Sequence, residues 1–362
     1  MSKGIRLAAG VAGLALLVAA CGEKPKDETS TSPSAGSSAN ASNFSACMVT
    51  DTGGIDDRSF NTASWAGMEA AGKETGAKVS YVASTSANDY VPNLNSEVKK
   101  GCNLVVAVGG LMGEATTNAS KQNPNTQFAI VDYPSVDGQK VYGMQFNTAQ
   151  SSFQAGYLAA AYSKTGKVAT FGGLNIPPVT IFMDGFWEGV QYFNKAKGKD
   201  VKVLGWDEKN PKSGSFAQNF GDQNKGKSIS KNFIQQGADV IFPVAGGTGL
   251  GAAAAAKESG GKVVTIWVDT DGCESASQYC DVFLTSVMKG MEGAVKQTVV
   301  NATKGPLSGG YLGTLENGGT QLAPFHDFDS KVDATLKAEL DQIKADIISG
   351  KIAITSPSAP KA

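Results

Sequence analysis

The chain has 362 residues, of which 41% are hydrophobic and 18% are charged. A chain of this length normally divides its hydrophobic core between two lobes. Its 32 basic and 33 acidic residues leave a formal net charge of -1, whereas proteins that bind nucleic acid carry a clustered basic footprint. We therefore exclude a nucleic-acid partner and expect a small, uncharged ligand.

The first twenty residues have the pattern of a signal peptide. Lys3 and Arg6 precede an apolar run from residue 7 to residue 18, which is too short to cross a bilayer as a stable helix. The run ends in Val-Ala-Ala-Cys21, which resembles the lipobox of bacterial lipoproteins, although valine stands where leucine is commoner. We expect lipidation of Cys21; an ordinary signal peptide followed by an incidental cysteine is the alternative.

Residues 21–43 read as a disordered tether. After Cys21 the segment consists mainly of Ser, Thr, Pro, Lys and Asn with few apolar residues, so burial cannot offset the entropy lost on ordering. Several acyl chains on Cys21 would hold the protein at a membrane, whereas a single chain would not. The sequence therefore predicts a lipid-anchored protein on the extracytoplasmic face of the cell membrane.

Four cysteines remain in the exported part, an even number that permits three pairings. We favour a bond between Cys47 and Cys102, because each begins an apolar segment and the two strands would be parallel neighbours. Cys273 and Cys280 would then close a short loop. Four buried thiols are the alternative, which an oxidising compartment disfavours. No metal site is expected, because no CxxC spacing occurs and His326 is the one histidine of the chain.

Short β-rich segments alternate with longer amphipathic segments rich in Ala and Gly. The first series predicts strands at 46–51, 78–83, 104–108, 128–132 and 141–146, and helices at 59–74, 91–100 and 111–122. The second series predicts strands at 167–172, 201–205, 240–244 and 263–269, and helices at 179–195, 226–236 and 250–259. A helix at 289–302, a β-rich stretch at 311–315 and a helix at 331–349 complete the chain.

Continuous apolar strands with helical crossovers are typical of parallel sheets covered on both faces. Two such series predict an α/β fold with two doubly wound lobes, residues 44–147 plus 286–313 and residues 148–285 plus 314–356, followed by a tail at 357–362. The chain would cross between the lobes near Phe146, Thr285 and Tyr311. A cleft hinged by several strands is the architecture of a binding protein that closes on its ligand.

The loops that would face this cleft carry acids, glycines and aromatic residues. In open α/β sheets, ligands bind beyond the carboxyl ends of the strands, where helix N-termini offer free N–H groups. Six loops and one lysine fall at such positions: residues 51–57, 109–112, 172–175, 216–222, 245–249 and 269–271, and Lys289. We expect them to converge on one site.

Five motifs in this order carry a family resemblance: TDTGGIDDRSFN, AGGTGLG, VDTDG, TSVMKG and LAPFHDFDSKV. The chain from about residue 46 to residue 354 resembles the basic membrane protein (BMP) family, lipoprotein substrate-binding components of ABC transporters. The resemblance implies a type I periplasmic-binding-protein fold, a monomer without cofactor or catalysis, and delivery of the ligand to a transporter permease. The best-understood members are purine nucleoside receptors, which implies a nucleoside ligand.

The resemblance also implies two aromatic walls. Phe60 matches the position whose ring stacks on the nucleobase, and Phe220 matches the opposing ring, with Phe216 as its rival because residues 209–219 are longer than the usual pattern. Two rings from different lobes would hold a flat base only when the cleft closes. For Phe60 alone, a place in the hydrophobic core is the alternative.

Polar residues of the same motifs would address the base. Asp51, Asp57 and Asn61 match the stretch that contacts it, and a carboxylate suits a purine N–H donor. Asp57 could instead cap the helix that follows it. Met112 is the counterpart of a bulky residue that lines the base pocket.

Asp271 and Lys289 match positions that hold the ribose hydroxyls, the carboxylate as acceptor and the ammonium as donor. Gly246 and Gly247 would let backbone N–H groups approach the ligand closely, because glycine has no Cβ.

Two other functions are considered. The segment from Asp51 to Asp57 also resembles the calcium cluster of nucleoside hydrolases, but Val49 replaces its first acid, Thr52 replaces its proline, and an extra glycine shifts the spacing. A binding protein or sensor for another small polar solute, such as a sugar, is the main alternative, because a bilobed fold does not fix the ligand.

Overall fold

A computed structural model describes residues 43–136, 138 and 140–361. The predicted signal peptide, Cys21 and the tether up to residue 42 lie outside the described residues. In the part that is described, no helix is long and apolar enough to span a membrane.

The described residues form twelve strands and ten α-helices in chain order. The strands are β1 (Ser45–Thr50), β2 (Lys78–Val82), β3 (Leu104–Val108), β4 (Gln127–Val131), β5 (Val141–Phe146), β6 (Lys167–Gly172), β7 (Lys202–Leu204), β8 (Val240–Val244), β9 (Val264–Asp269), β10 (Phe283–Lys289), β11 (Gly310–Gly313) and β12 (Thr320–Leu322). The helices are α1 (Phe60–Thr75), α2 (Tyr90–Lys99), α3 (Gly113–Gln122), α4 (Ala149–Tyr162), α5 (Pro177–Lys197), α6 (Gln223–Gln235), α7 (Leu250–Glu258), α8 (Gly272–Ser275), α9 (Met291–Lys304) and α10 (Ala334–Ile348).

The strands build two six-stranded sheets, one in each lobe. The first sheet has the order β11-β5-β4-β3-β1-β2, and all of its pairs are parallel. The second has the order β12-β10-β9-β8-β6-β7, in which only β12 runs antiparallel to its neighbour. Central strands such as β3 and β8 are buried along their whole length, because helices cover both faces of each sheet. The predicted pair of doubly wound α/β lobes is confirmed.

The chain passes between the sheets three times, and the second passage lies later than expected. The passages follow β5, β10 and β11. We expected the second near Thr285, but β10 continues to Lys289 in the second sheet, paired with β9 and β12. The helix predicted from Lys289 accordingly begins at Met291. Lys289 is therefore the last residue of the second lobe's sheet before the chain returns to the first lobe.

Helix α4 was not predicted from the sequence. Apart from two glutamines its residues are small, aromatic or apolar, and most are buried, so the segment lacks the polar face that marks an amphipathic helix. It packs closely on α5: a Cβ at Gly156 would lie 2.0 Å from the carbonyl oxygen of Phe186.

The C-terminal residues pack against α5 of the second lobe. The backbone N–H of Thr355 donates to Glu188 Oε1 at 2.9 Å, and Ser356 Oγ donates to Asp184 Oδ2 at 2.6 Å. The hydroxyls of Ser358 and Thr180 lie 2.7 Å apart. The segment predicted as a tail from residue 357 therefore contacts the second lobe at least to Ser358.

Both favoured disulfides are confirmed. Cys47 lies on β1 and is bonded to Cys102, just before β3, across 55 residues of sequence. Cys273 and Cys280 close a loop of seven residues after β9.

Candidate functional site

A cavity lies between the lobes, at the carboxyl ends of both sheets, with about 590 Å³ of empty space that includes its opening to solvent. We call it the ligand cavity. The first lobe contributes loops that follow β1, β3 and β4, and the second lobe contributes the start of α5, the loop before α6 and the ends of β8, β9 and β10. Five of the six loops predicted to converge, and Lys289, line the cavity, whereas the loop at 172–175 contributes none of its described lining residues.

Aromatic rings from both lobes line this cavity, among them Phe182 of α5. Phe60, the first residue of α1, belongs to the first lobe, and Phe220 precedes α6 in the second. The Phe220 ring lies against the bare backbone of Gly173, where a Cβ would be 2.2 Å from its Cε1 atom. Phe216 does not line the cavity but packs edge-on against Trp206 within the second lobe, with ring centroids 6.0 Å apart. Phe220, not its rival, is the ring at the site.

Asp51 lies where β1 ends and is held by the first lobe. Its Oδ1 atom accepts hydrogen bonds from the backbone N–H of Gly53 at 3.0 Å and from Asn61 Nδ2 at 2.8 Å. Asp51 and Gly53 line the cavity. Asn61 is buried behind them, does not line the cavity and orients the carboxylate through this hydrogen bond.

Asp57 caps helix α1 and also lines the cavity. Its Oδ1 accepts from the N–H groups of Ser59 and Thr62 and from the Thr62 hydroxyl, and its Oδ2 accepts from the N–H of Asn61 at 2.8 Å. Burial raises the pKa of Asp57 to about 6, although these hydrogen bonds lower it. The capping role that the sequence left open is thus present, on a side chain that also faces the cavity.

Asp269, the last residue of β9, joins the lobes at the cavity wall. Its Oδ2 atom accepts a hydrogen bond from Ser59 Oγ of the first lobe at 2.6 Å. Beside it, Thr270 Oγ1 donates to the carbonyl oxygen of Arg58 at 3.0 Å. These contacts connect the loop before α1 to the end of β9, so the two lobes are closed on each other here.

Lys289 and Asp132 form a second link between the lobes. Lys289 Nζ, at the end of β10, lies 2.6 Å from Asp132 Oδ2, just after β4, and both side chains are almost fully buried. The ammonium also lies 4.8 Å from the centroid of the Phe60 ring, within the range of a cation–π contact. Lys289 therefore lies where the carboxylates and the aromatic wall meet.

The cavity carries more acid than base. Asp51, Asp57, Asp132 and Asp269 line it together with Lys289, the one basic residue among its described lining residues. Burial raises the pKa of Asp51, Asp132 and Asp269, while the charge of Lys289 lowers it. Carboxylates at the wall can accept hydrogen bonds from a ligand, and the excess of negative charge disfavours an anionic one.

Two predicted site residues lie elsewhere. Met112 is fully buried in the first lobe's core, because the turn at Gly110–Met112 points Leu111 at the cavity and Met112 inward. Asp271 caps the short helix α8 and lies 2.7 Å from Nε2 of His326, and it does not line the cavity. The acid two residues earlier, Asp269, takes the cavity position instead.

The glycine loop after β8 lies at the cavity as predicted. Gly246 lines it with a φ of 51°, and a Cβ at Gly247 would approach the carbonyl oxygen of Phe220 and the Cα of Asp57. Gly247 therefore lies at the contact between the lobes.

Sequence reasoning missed Asp132 and Asp269 as site residues. Both have positive φ values, 65° and 67°, a conformation that is uncommon outside glycine and clusters at functional sites. The sequence feature that could have identified them is an acid directly at the end of an apolar strand, as in IVD ending at Asp132 and WVD ending at Asp269.

Among the described residues that line this cavity, no three potential metal ligands lie close enough to share an ion. Among the described residues, two groups of His, Cys, Asp or Glu approach closely enough to share an ion, and each includes a disulfide-bonded cysteine. The first also contains Glu97, and the second Asp271 and His326. Neither group lines the ligand cavity.

A family model described as the PnrA-like ABC transporter substrate-binding protein, Bmp, matches residues 44–354. The chain belongs to the Bmp family. It is therefore a substrate-binding protein of an ABC transporter, which implies a small-molecule ligand and a permease partner. Bmp proteins are extracytoplasmic solute-binding proteins and not an enzyme family.

Two relatives and one solved structure are similar to this Bmp-family chain. A Lactococcus lactis protein named ABC transporter nucleoside-binding protein BmpA is 33% identical over 86% of this chain and 89% of its own length. A Listeria innocua protein named CD4+ T-cell-stimulating antigen is 32% identical over 94% of both chains. A solute-binding protein of an ABC transporter system from Aeropyrum pernix superposes with a TM-score of 0.76 at 24% identity, covering 87% of this chain and 94% of that one. The last comparison confirms the periplasmic-binding-protein fold.

Proposed function

We propose that this protein binds a nucleoside, with a purine nucleoside favoured, and delivers it to the permease of an ABC transporter. The observation that carries the proposal is the pair of rings, Phe60 and Phe220, that line one cavity from opposite lobes. Closure of the lobes would bring both faces of a planar base against aromatic surface. The name of the Lactococcus lactis relative supports the same ligand class.

The polar groups suit the rest of a nucleoside. Lys289 donates to ring hydroxyls of the sugar, and the carboxylate of Asp269 accepts from them, in the role first assigned to Asp271. Asp51, through the oxygen that Gly53 and Asn61 do not engage, accepts from N–H donors of the base, and Asp57 fixes the start of α1 and with it Phe60. Four carboxylates against one ammonium favour an uncharged nucleoside over a nucleotide, whose phosphate would be repelled.

Hydrolysis of the nucleoside is disfavoured by the geometry of the acids. A calcium site needs several carboxylate oxygens that converge on one point. Both oxygens of Asp57 accept hydrogen bonds from the start of α1, and one oxygen of Asp51 accepts from Gly53 and Asn61. These oxygens are engaged by donors of the first lobe.

A ligand screen tests the proposal. The protein without residues 1–43, which leaves β1 intact from Ser45, is titrated by calorimetry and thermal shift with nucleosides, free bases, ribose and hexoses. A ligand that binds only the folded protein raises its melting temperature. We expect stabilisation by nucleosides and not by ribose or free bases. Stabilisation by hexoses alone would replace the nucleoside with a sugar, and release of free base from a bound nucleoside would indicate a hydrolase.

We also propose that Cys21 is lipidated and anchors the protein on the extracytoplasmic face of the membrane. The lipobox-like sequence and the polar segment after it support this proposal. Replacing Cys21 with Ser should move the protein from the membrane fraction to the soluble fraction and abolish incorporation of labelled fatty acid. Membrane retention and labelling of the Cys21→Ser variant would refute it.

A further inference from the structure

A second cavity adjoins the first on the side of Asp132. It lies between the loop after β4, the end of β5 and the start of α5, with about 830 Å³ of empty space that includes its opening to solvent. We call it the annex. Five residues line both spaces, so the annex and the ligand cavity share a wall: Gly110, Leu111, Asp132, Ile176 and Pro178. The C-terminal segment closes part of it through Ser358 and Pro360.

The position of the annex relates it to one end of the ligand. Phe220 and Gly246 line the ligand cavity but not the annex. Lys289 Nζ lies 2.6 Å from Asp132, which lines both cavities, and 5.5 Å from the ring centroid of Phe146, which lines the annex. The part of a ligand that contacts Lys289 is therefore next to the annex, and the part near Phe220 is far from it.

The chemistry of the annex wall is mainly apolar. Four prolines contribute to it together with Ile181 and Phe146. Asp132 is the one charged side chain among the described residues of this wall, and it is paired with Lys289. Gln145, Tyr133 and Ser358 add uncharged polar groups. Such a wall suits an uncharged, largely apolar substituent and offers a phosphate no additional cation.

We infer that the annex is a subsite for an uncharged substituent on the 5′ carbon of the bound nucleoside, such as an alkylthio group. This inference rests on the function proposed above, in which Lys289 and Asp269 hold the ring hydroxyls of the sugar. Substitution at the 5′ carbon leaves both ring hydroxyls free for those contacts. The protein thereby accepts 5′-modified nucleosides as well as plain ones, and discriminates against 5′-phosphates.

The test is a homologous series of ligands. Calorimetry on the full-length protein in mild detergent compares adenosine and inosine with their 5′-deoxy-5′-methylthio, ethylthio and propylthio derivatives and their 5′-monophosphates. Because a fully buried CH₂ contributes about fourfold in affinity, we expect a gain of about two- to fourfold for each added CH₂. We expect the monophosphates to bind at least about tenfold more weakly than the plain nucleosides.

Variants of Gln145 assign the effect to the annex. Gln145 lines the annex but not the ligand cavity, and it is only half-buried. Gln145→Trp should fill the space and weaken the propylthio ligand by about tenfold or more, with less than about a twofold change for the plain nucleoside. Gln145→Ala is the matched control. It leaves the annex open, so the increase in affinity with each added CH₂ should persist.

Removal of residues 357–362 provides a second, independent variant. It takes away Ser358 and Pro360 from the annex wall and keeps the bond between Ser356 and Asp184. The gain along the series should shrink while the affinity for the plain nucleoside is kept.

The outcomes separate the two proposals. Plain nucleosides that bind, with a flat or falling alkylthio series in the wild-type protein, would overturn the annex as a subsite and leave the nucleoside function standing. A rising series that Gln145→Trp does not change would also overturn it, because the substituent would lie elsewhere. If neither plain nor substituted nucleosides bind, both proposals fail together.

Discussion

Removing the Phe220 ring tests the stacking geometry most directly. Phe220→Ala takes away the second lobe's ring opposite Phe60 and leaves Phe60 and Phe182 in place. Stacking of a base on an aromatic side chain contributes about 1–3 kcal/mol, which corresponds to an increase in Kd of about 5- to 150-fold. The substitution removes no hydrogen bond made by a side chain, so this loss should appear in ligand affinity.

The same change can be expressed as a thermal shift. At a nucleoside concentration 100 times the wild-type Kd, binding stabilises the folded protein by about 2.7 kcal/mol. After Phe220→Ala the same concentration should stabilise it by only about 0.3–1.8 kcal/mol. Calorimetric titration provides the Kd, and ligand-free melting curves show whether the fold is kept.

Phe216 offers a matched control four residues away. Its ring packs against Trp206 inside the second lobe and does not line the cavity. Phe216→Ala should lower the unfolding free energy by about 2 kcal/mol, roughly half the cost of a fully buried phenylalanine, and leave the nucleoside Kd within about twofold. The reverse pattern, with affinity lost in Phe216→Ala and kept in Phe220→Ala, would refute the stacking model of the site.

Three further predictions concern charge and covalent links. Lys289→Met leaves the buried carboxylate of Asp132 without its partner, so it should lower the unfolding free energy by about 3–5 kcal/mol at pH 7. In urea denaturation, the double variant Lys289→Met/Asp132→Asn should lose less unfolding free energy than the single variant. An equal loss in both variants would contradict the pairing. Burial raises the pKa of Asp57 from its usual 3.8 to about 6. Because the folded protein favours protonated Asp57, this group adds to the unfolding free energy below pH 3.8, and the addition is lost as the pH rises through about 6. Between pH 4 and pH 7 the wild-type protein should therefore lose up to about 3 kcal/mol relative to Asp57→Asn, and parallel pH profiles of the two proteins would rule this out. Replacing both cysteines of the 47–102 bond, which spans 55 residues, should lower the unfolding free energy by about 4 kcal/mol. Replacing both cysteines of the 273–280 bond, which spans seven residues, should lower it by about 2 kcal/mol. Equal losses in chemical denaturation would argue against loop-closure entropy as the main cause.

Much of the fold could be predicted because parallel strands and their crossover helices leave a strong local pattern. The apolar strands β1, β3 and β9 end at or just before an acid or a glycine, and those strand ends predict where the cleft lies. Helix α4 could not be predicted in this way, because burial on nearly all sides removes the polar face that signals a helix. Strand β10 was missed because its end is also the point where the chain changes lobe.

The candidate residues each line the cavity or lie within two positions of a residue that does. Phe60 and Phe220 were found because the motifs fix their positions relative to strand ends. Leu111 was mistaken for its neighbour Met112, since a single tight turn decides which of two apolar side chains faces the cavity. Asp269 was passed over for Asp271 for the same reason: backbone conformation at the strand end, which sequence does not specify, selects the acid that points inward.

The position of Lys289 at the end of β10 has a mechanical consequence. The next residue, Gly290, begins the passage to the first lobe, so Lys289 lies beside one of the three connections that join the lobes. Its partner Asp132 follows β4 of the first lobe, and both side chains are almost fully buried. A motion that parts the lobes therefore has to separate two buried opposite charges, and the ion pair resists opening of the cleft.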